Sequence, residues 1–343
     1  VARHFMPVSA PPGAAGPVIR AGLPIPGGQL ADAARSLDLP LMISANAFAR
    51  RWPRARRDRM PFPGFRPPGT SLHGLDIALD SAGFVAMKLH NGYTWSVARY
   101  YDLVESFPFA WHSAMDCCCE PEVAGDADAV ALRVAETARL YGLCRQEARV
   151  RGLADPVPVL QGWHPEDYLR CLDLLPIADL PALVGVGSMC RRDLPGLLAV
   201  VECLDAALPH HVGLHLFGVK SAGIDALRDH PRVVSVDSQA WDYAARRQNG
   251  GCPEMAVRID HLTRWYQRQL TGRPAATRPR RTAPTPSRPS AADTGDREIP
   301  EDWLELVAAG EIDASDVSLD RILAVDHPID GAGGQEVPRP VAA

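Results

Sequence analysis

The sequence contains no run of eighteen apolar residues, so no membrane-spanning helix is expected. Its opening stretch, VARHFMPVSAPPGAAGPVIR, lacks the compact apolar core of a secretory signal, and a cytoplasmic location is the expectation. A disulfide framework is also missing. Three of the eight cysteines are consecutive (Cys117, Cys118 and Cys119) and the others are scattered singly, which points to free, buried thiols. There is no excess of positive charge: the formal net charge is −5, so only local patches can argue for nucleic acid. No G-x-G-x-x-G follows the first strand-like segment, which argues against a dinucleotide-binding sheet. No G-x-S-x-G nucleophile elbow is present. LMISANAF carries no paired histidines of a metallohydrolase barrel, and Cys-Cys-Cys in extended chain points its thiols to opposite faces.

What is present is alternation. Seven short apolar segments read as strands: 39–45, 75–80, 107–116, 156–162, 181–187, 211–219 and 232–238. Amphipathic segments lie between and after them, at 127–152, 164–176, 191–209 and 252–270. The clearest has Val130, Val134, Ala138 and Tyr141 on one stripe, with Arg133, Glu136 and Arg139 facing outward. Strand alternating with helix predicts a parallel sheet, and this many repeats predicts a (β/α)8 TIM-type barrel over residues 39–270. The eighth strand falls either near 83–89 or in the lead-in. Residues 1–38 read as an irregular lead-in, 271–297 as a disordered linker rich in Pro and Arg, and 298–343 as a tail with short helices.

In a parallel barrel the chemistry collects at the C-terminal ends of the strands. Here those ends carry Asp80, Asp116, Gln161 with Gly162, the Gly185-Val186-Gly187 run, and Asp237. One aspartate after a strand is ordinarily a turn former or a helix cap. Three of them, with a Gln and a bare Gly-x-Gly, make a candidate site. Paired carboxylates suit a reaction at a sugar C1 centre. Lys88, His90 and Tyr93 follow Asp80 and are candidates for shaping the same pocket, alongside core or loop roles. The basic stretch 49–69 holds Arg50, Arg51, Arg54, Arg56 and Arg57 and follows a strand end. It is either a solvated loop or a phosphate-contacting one.

Six segments, in order, resemble the tRNA-guanine transglycosylase superfamily. LDSAGF (79–84) is similar to D-S-G-G-F/Y, and MDCCCEP (115–121) to F-D-E-C-x-P. VLQGW (159–163) resembles V-Q-G-G/S, and VGVGSM (184–189) resembles G-G-L-A-V-G-E. HLFGVKSAGIDAL (215–227) resembles the Y-L-M-G-V-G segment and its helix, and VVSVDSQAWDYAAR (233–246) the F-D-C-V-x-P-T-R-x-A-R segment. LMISANAFARRW and MDCCCEPE look closer to the DNA-acting 7-deazaguanine (DpdA-like) branch.

The resemblance implies a (β/α)8 barrel that exchanges guanine for a 7-deazaguanine through a covalent sugar–aspartate intermediate. It implies Asp237 as nucleophile and Asp80 as general acid/base. Asp116 would bind the N–H groups of the base. Gln161, Gly185 and Gly187 would face its carbonyl edge, and Ser81 and Phe84 would line the pocket. The implied partners are DNA, with tRNA as the alternative substrate, a 7-deazaguanine base such as 7-cyano-7-deazaguanine, and a helicase- or ATPase-like protein. A non-catalytic accessory subunit on the same barrel is the other alternative. The superfamily's C-x-C-x-x-C…H zinc site has only Cys252 and His261 to match it, so no metal and no cofactor are expected.

Overall fold

The computed structural model describes residues 16–50, 62–176, 180–248, 251 and 253–271. The linker and tail expected after residue 271, and Arg51, Arg54, Arg56 and Arg57, lie outside the described residues.

Among the described residues the chain alternates strand and helix from its start. The strands are β1 (Val18–Gly22), β2 (Leu41–Ser44), β3 (Ile77–Asp80), β4 (Trp111–His112), β5 (Val159–Leu160), β6 (Leu183–Val186), β7 (Gly213–Leu216) and β8 (Val233–Ser238). The helices are α1 (Gly28–Ser36), α2 (Gly83–His90), α3 (Val97–Glu105), α4 (Pro121–Ala124), α5 (Ala127–Val150), α6 (Pro165–Leu174), α7 (Leu194–Ala207), α8 (Ser221–Leu227), α9 (Ala240–Gln248) and α10 (Met255–Thr271). All eight strands are parallel, in the order β4-β3-β2-β1-β8-β7-β6-β5. All seven expected strands and the four expected helices are present.

Two expectations need correction. The eighth strand is in the lead-in: β1 forms the centre of the sheet between β2 and β8, and α1 follows it. Residues 16–38 are therefore not irregular. The alternative, 83–89, is helix α2; a short apolar run has no period that separates strand from helix. The sheet is also curled rather than closed by a continuous ladder. Its edges meet at a single parallel bridge, Ser113–Val157. Ala114 N–H donates to Val157 O and Val157 N–H to His112 O, both at 2.9 Å. The sequence explains this seam. Val157 lies between Pro156 and Pro158, neither of which has an N–H to extend a ladder.

The sheet separates two apolar regions. The larger packs helices on its outer face, and the expected stripe Val130, Val134, Ala138 and Tyr141 is buried there. The Asp126 side chain caps α5, accepting from the N–H groups of Asp128 and Ala129 at 3.0 Å each. The smaller region fills the inside of the curl with Met42, Ala78, Trp111, Val157 and Leu183.

A bulge on β8 sets which side chains point inward. Leu214 pairs with Val233 and His215 with Ser235, leaving Val234 as the extra residue. Val233 and Val236 consequently both pack outward, while Val234 joins the inner region. After Val236, alternation turns Asp237 inward, level with Arg20 on β1.

Candidate active site

The loop that leaves β4 runs buried over the strand ends from Ser113 to Glu120. A buried loop must satisfy its own backbone. Here Cys117 N–H donates to Thr137 Oγ1 (2.9 Å) and Cys119 N–H to Ser188 Oγ (2.8 Å). The three consecutive cysteines are buried packing residues; burial pushes the Cys117 thiol up to about 12, so it is not a thiolate at neutral pH.

This loop places Asp116 at the middle of a hydrogen-bond network. Ser81 Oγ donates to Asp116 Oδ1 at 2.7 Å, and the Gln161 side-chain amide donates to Oδ2. Ser188 Oγ donates to Gln161 Oε1 at 2.6 Å, which fixes which way the amide points. The Tyr93 hydroxyl accepts from Asp116 N–H (3.0 Å) and sits 2.9 Å from Ser81 Oγ. Burial raises the Asp116 pKa, while the donors from Ser81, Gln161 and Tyr93 pull it back.

The glycines beside this network are shaped by it. A β-carbon on Gly187 would overlap the Gln161 amide, so the bare glycine makes room for that side chain. Gly162 is pressed against Asp167 and Tyr168 at the start of α6, where Asp167 Oδ2 accepts from the N–H groups of Trp163 and His164 at 3.1 and 2.8 Å. Buried Arg192 ties the same loop down, donating to Trp163 O (2.7 Å) and the Tyr168 hydroxyl (3.1 Å). Ala82 adopts the left-handed conformation (φ 70°, ψ 31°) at a position where the similar D-S-G-G-F motif has glycine. That turn brings the next residue, Gly83, against Asp116.

Asp80 ends β3 at the rim, partly exposed. Its Oδ2 accepts from Ala82 N–H at 3.1 Å. Burial, with the charges of Asp116 and Asp237 adding to it, pushes its pKa up to about 7. Asp80 therefore senses both other strand-end aspartates. Asp237 enters from β8 with its side chain 13% exposed, and its Oδ1 accepts from Gly218 N–H at 2.9 Å.

Asp80, Ser81, Asp116, Gln161 and Gly187 thus form one connected group, and Asp237 faces it from β8. Ser81 is completely buried and serves Asp116 rather than an open pocket wall. Gly185 lies behind the Phe217 ring, 2.6 Å from where its β-carbon would be. Phe84 is half-buried on the first turn of α2. Of the arginines expected to contact phosphate, Arg50 is exposed on a groove of about 290 Å3 that it shares with Arg66 and Arg99.

Sequence reasoning missed Ser188 and His215. Ser188 has no motif of its own; it holds Gln161 from a left-handed turn (φ 56°). His215 had a signal, a polar side chain on the inner face of an apolar strand, GLHLF. Among the described residues no group of three or more His, Cys, Asp or Glu is placed to hold a metal ion, and Cys252 lies outside them.

A parallel α/β sheet with three acidic side chains converging at its strand ends is the framework of an enzyme-type site. The family model described as DpdA, DeoxyPurine in DNA protein A, matches residues 69–296, and the chain belongs to that family. The match takes in Asp80, Asp116, Gln161 and Asp237; β1, β2 and Arg50 precede it. No curated protein matches the chain. No helix among the described residues is long and apolar enough to cross a membrane.

Proposed function

We propose that this protein is a base-exchange transglycosylase that replaces guanine in DNA with a 7-deazaguanine. The observation that carries the reading is the convergence of Asp80, Asp116 and Asp237, with Asp80 holding a proton near neutral pH because it is buried and the other two charges add to that. Membership of the deoxypurine-in-DNA family supplies the substrate class.

In this reading a carboxylate oxygen of Asp237 attacks C1′ of the target nucleotide. The C1′–N9 bond breaks and its electron pair leaves with guanine, while the Asp80 carboxyl gives its proton to the departing base. The sugar is held as an ester of Asp237. The incoming 7-deazaguanine returns the proton balance by giving its ring N–H proton to Asp80 as its nitrogen attacks C1′ and frees Asp237. Asp80 is suited to both directions because its pKa of about 7 lies near the working pH.

Asp116 and Gln161 suit the shared edge of the two bases. The carboxylate accepts from N–H groups, and the second amide hydrogen of Gln161, oriented by Ser188, is free to meet a carbonyl. Gly83 and the small residues after Asp80 let Asp116 pack close against the turn that follows β3. The base must leave the duplex to reach this pocket, which costs a few kcal/mol. A strand-opening ATPase as partner fits that cost. Arg50, Arg66 and Arg99 suit contacts to the phosphate backbone.

The test is incubation with labelled guanine and either duplex DNA or tRNA. Label entering DNA, with a denaturation-resistant adduct lost in Asp237→Asn, is the expected result. Label entering only tRNA would move the enzyme to the RNA substrate. No adduct and no exchange would leave a non-catalytic subunit.

A further inference from the structure

Among the described residues Asp237 is gripped through one oxygen. Gly218 N–H donates to Oδ1 at 2.9 Å, and His215 Nε2 lies 3.4 Å from the same atom. Among the described residues nothing donates to Oδ2. On the other side of the imidazole, Nδ1 is 2.7 Å from Ser235 Oγ. We propose that His215 is a positioning residue: locked by Ser235, it holds Oδ1 of Asp237 and leaves Oδ2 as the attacking oxygen. The inference rests on reading Asp237 as the nucleophile.

Electrostatics decides the tautomer. A lone pair on Nε2 would face a carboxylate oxygen at 3.4 Å, which is repulsive. The proton therefore sits on Nε2, and Ser235 O–H donates to Nδ1. A second proton on the ring is disfavoured by complete burial, which outweighs the opposing pull of the Asp237 carboxylate and is helped by the Arg20 guanidinium, so the His215 pKa is lowered. Nε2 is buried and has no well-formed hydrogen bond. An orphaned buried N–H is costly, and Asp237 Oδ1 is the acceptor beside it at 3.4 Å.

The ring cannot turn away. It is packed edge-on to Trp111, with centroids 4.9 Å apart, and to Phe217, at 4.5 Å. The bulge at Val234 places both contacts: it pairs Ser235 with His215 and then aims Asp237 inward.

The arrangement has a kinetic consequence. In the ester, Oδ2 is bonded to C1′ and Oδ1 is the carbonyl oxygen. When the incoming nitrogen attacks C1′, the C1′–Oδ2 bond breaks and its electron pair returns to the carboxylate. Negative charge then grows on Oδ1, where the N–H groups of Gly218 and His215 already point. Removing the His215 donor should slow resolution of the intermediate more than its formation.

His215→Phe keeps the ring packing and removes the donor; His215→Gln keeps an N–H. For His215→Phe the expected result is a kcat lower by about 10- to 100-fold, a KM for DNA within about 3-fold, and a larger share of enzyme trapped as adduct at steady state. His215→Gln should recover part of kcat. Unchanged kcat in His215→Phe, a loss in KM alone, or no recovery with Gln would overturn the proposal. A second readout needs no substrate and no stable variant at 215. In the ¹⁵N-histidine NMR spectrum of the wild-type protein, His215 should be the Nε2–H tautomer, and its signals should move in Asp237→Asn. An Nδ1–H tautomer, or signals indifferent to Asp237→Asn, would overturn the clamp even in an active enzyme. The expected tautomer with no base exchange and no adduct would overturn the transglycosylase reading and leave the clamp standing.

Discussion

Gly83 lies so close to Asp116 that a β-carbon at residue 83 would fall 2.6 Å from Oδ1 and 2.7 Å from Oδ2. The neighbour is a carboxylate held on both oxygens by Ser81 and Gln161, so it cannot yield without losing one of those bonds. Gly83→Ala would ordinarily favour the first turn of α2, since alanine is the better helix former. Here the displaced carboxylate should cost about 1–3 kcal/mol. The expected outcome is a lower melting temperature and at least a tenfold loss of base exchange. A variant as stable and active as wild type would show that the packing against Asp116 is unimportant.

Gln161 depends on Ser188 for its orientation. In Ser188→Ala the amide loses the donor at its Oε1 and the Cys119 N–H loses its acceptor. Discrimination between guanine and bases with a different edge should weaken by about tenfold, with a smaller effect on kcat. Competition between guanine and adenine for a preformed adduct measures it. Unchanged selectivity would remove Ser188 from base recognition.

Most of this architecture was legible from residues 39 to 270, and the illegible parts have physical causes. Strands such as LPLMISA and RVVSVDS announce themselves by β-branched runs ending at small or acidic residues. VIRAG was hidden because Arg20, inside the curl, breaks the apolar pattern of β1; the structure neutralises it with Asp76 at 3.0 Å and stacks it on Trp111 at 5.6 Å. The strand-end acids could be picked out because each follows an apolar run. Ser188 and Ser235 could not, because a small hydroxyl in a loop or strand has no pattern until its partner is placed. The seam between β4 and β5 was foreshadowed by Pro156 and Pro158, residues that weaken a ladder without showing which strand lies across from it.

Asp80 gives two pH signatures, one in stability and one in activity. Its folded pKa of about 7 exceeds the ordinary 3.8, so the native state binds the proton more tightly. That contribution to stability is complete below about 3.8 and is lost as pH rises through 7. Asp80→Asn removes the charge, so it should melt higher than wild type above pH 7, its unfolding free energy raised by up to about 2–4 kcal/mol, and match it more closely at acid pH. The same variant should lose base exchange. In wild type, kcat/KM with guanine as leaving group should fall as pH rises past about 7. A Tm difference that does not grow with pH would contradict the assigned shift.

His112 works in the other direction. It is buried with Nε2 3.2 Å from the Tyr101 hydroxyl, and burial lowers its pKa to about 4. Its neutral form is favoured by folding, so that stability is present above the ordinary 6.5 and is lost as pH falls through 4. The full loss is about 3 kcal/mol. His112→Gln, which does not titrate, should flatten the fall in unfolding free energy between pH 6.5 and 4. Denaturant titrations at several pH values compare the two slopes, and identical slopes would refute the assignment.

The arginine groove offers a test of the nucleic-acid surface that leaves the catalytic residues untouched. Arg50, Arg66 and Arg99 line it with Phe65 and Asp102. Phe65 stacks edge-on to Trp95 at 5.3 Å, and Trp95 to Tyr93 at 5.5 Å, so a continuous aromatic path runs from the groove to the Asp116 network. Arg99 pairs with Asp102 at 3.3 Å, but Asp102 is shared with Arg151, which leaves the groove with surplus positive charge. If each arginine neutralises one phosphate, the double variant Arg50→Ala/Arg66→Ala should lower the salt dependence of duplex binding by about 1.8 in log–log slope. Affinity at low salt should fall by at least tenfold, while the adduct yield at saturating DNA stays near wild type. Fluorescence anisotropy across a salt series reads the slope directly. A slope identical to wild type would mean that this groove faces solvent and that the substrate backbone is held elsewhere.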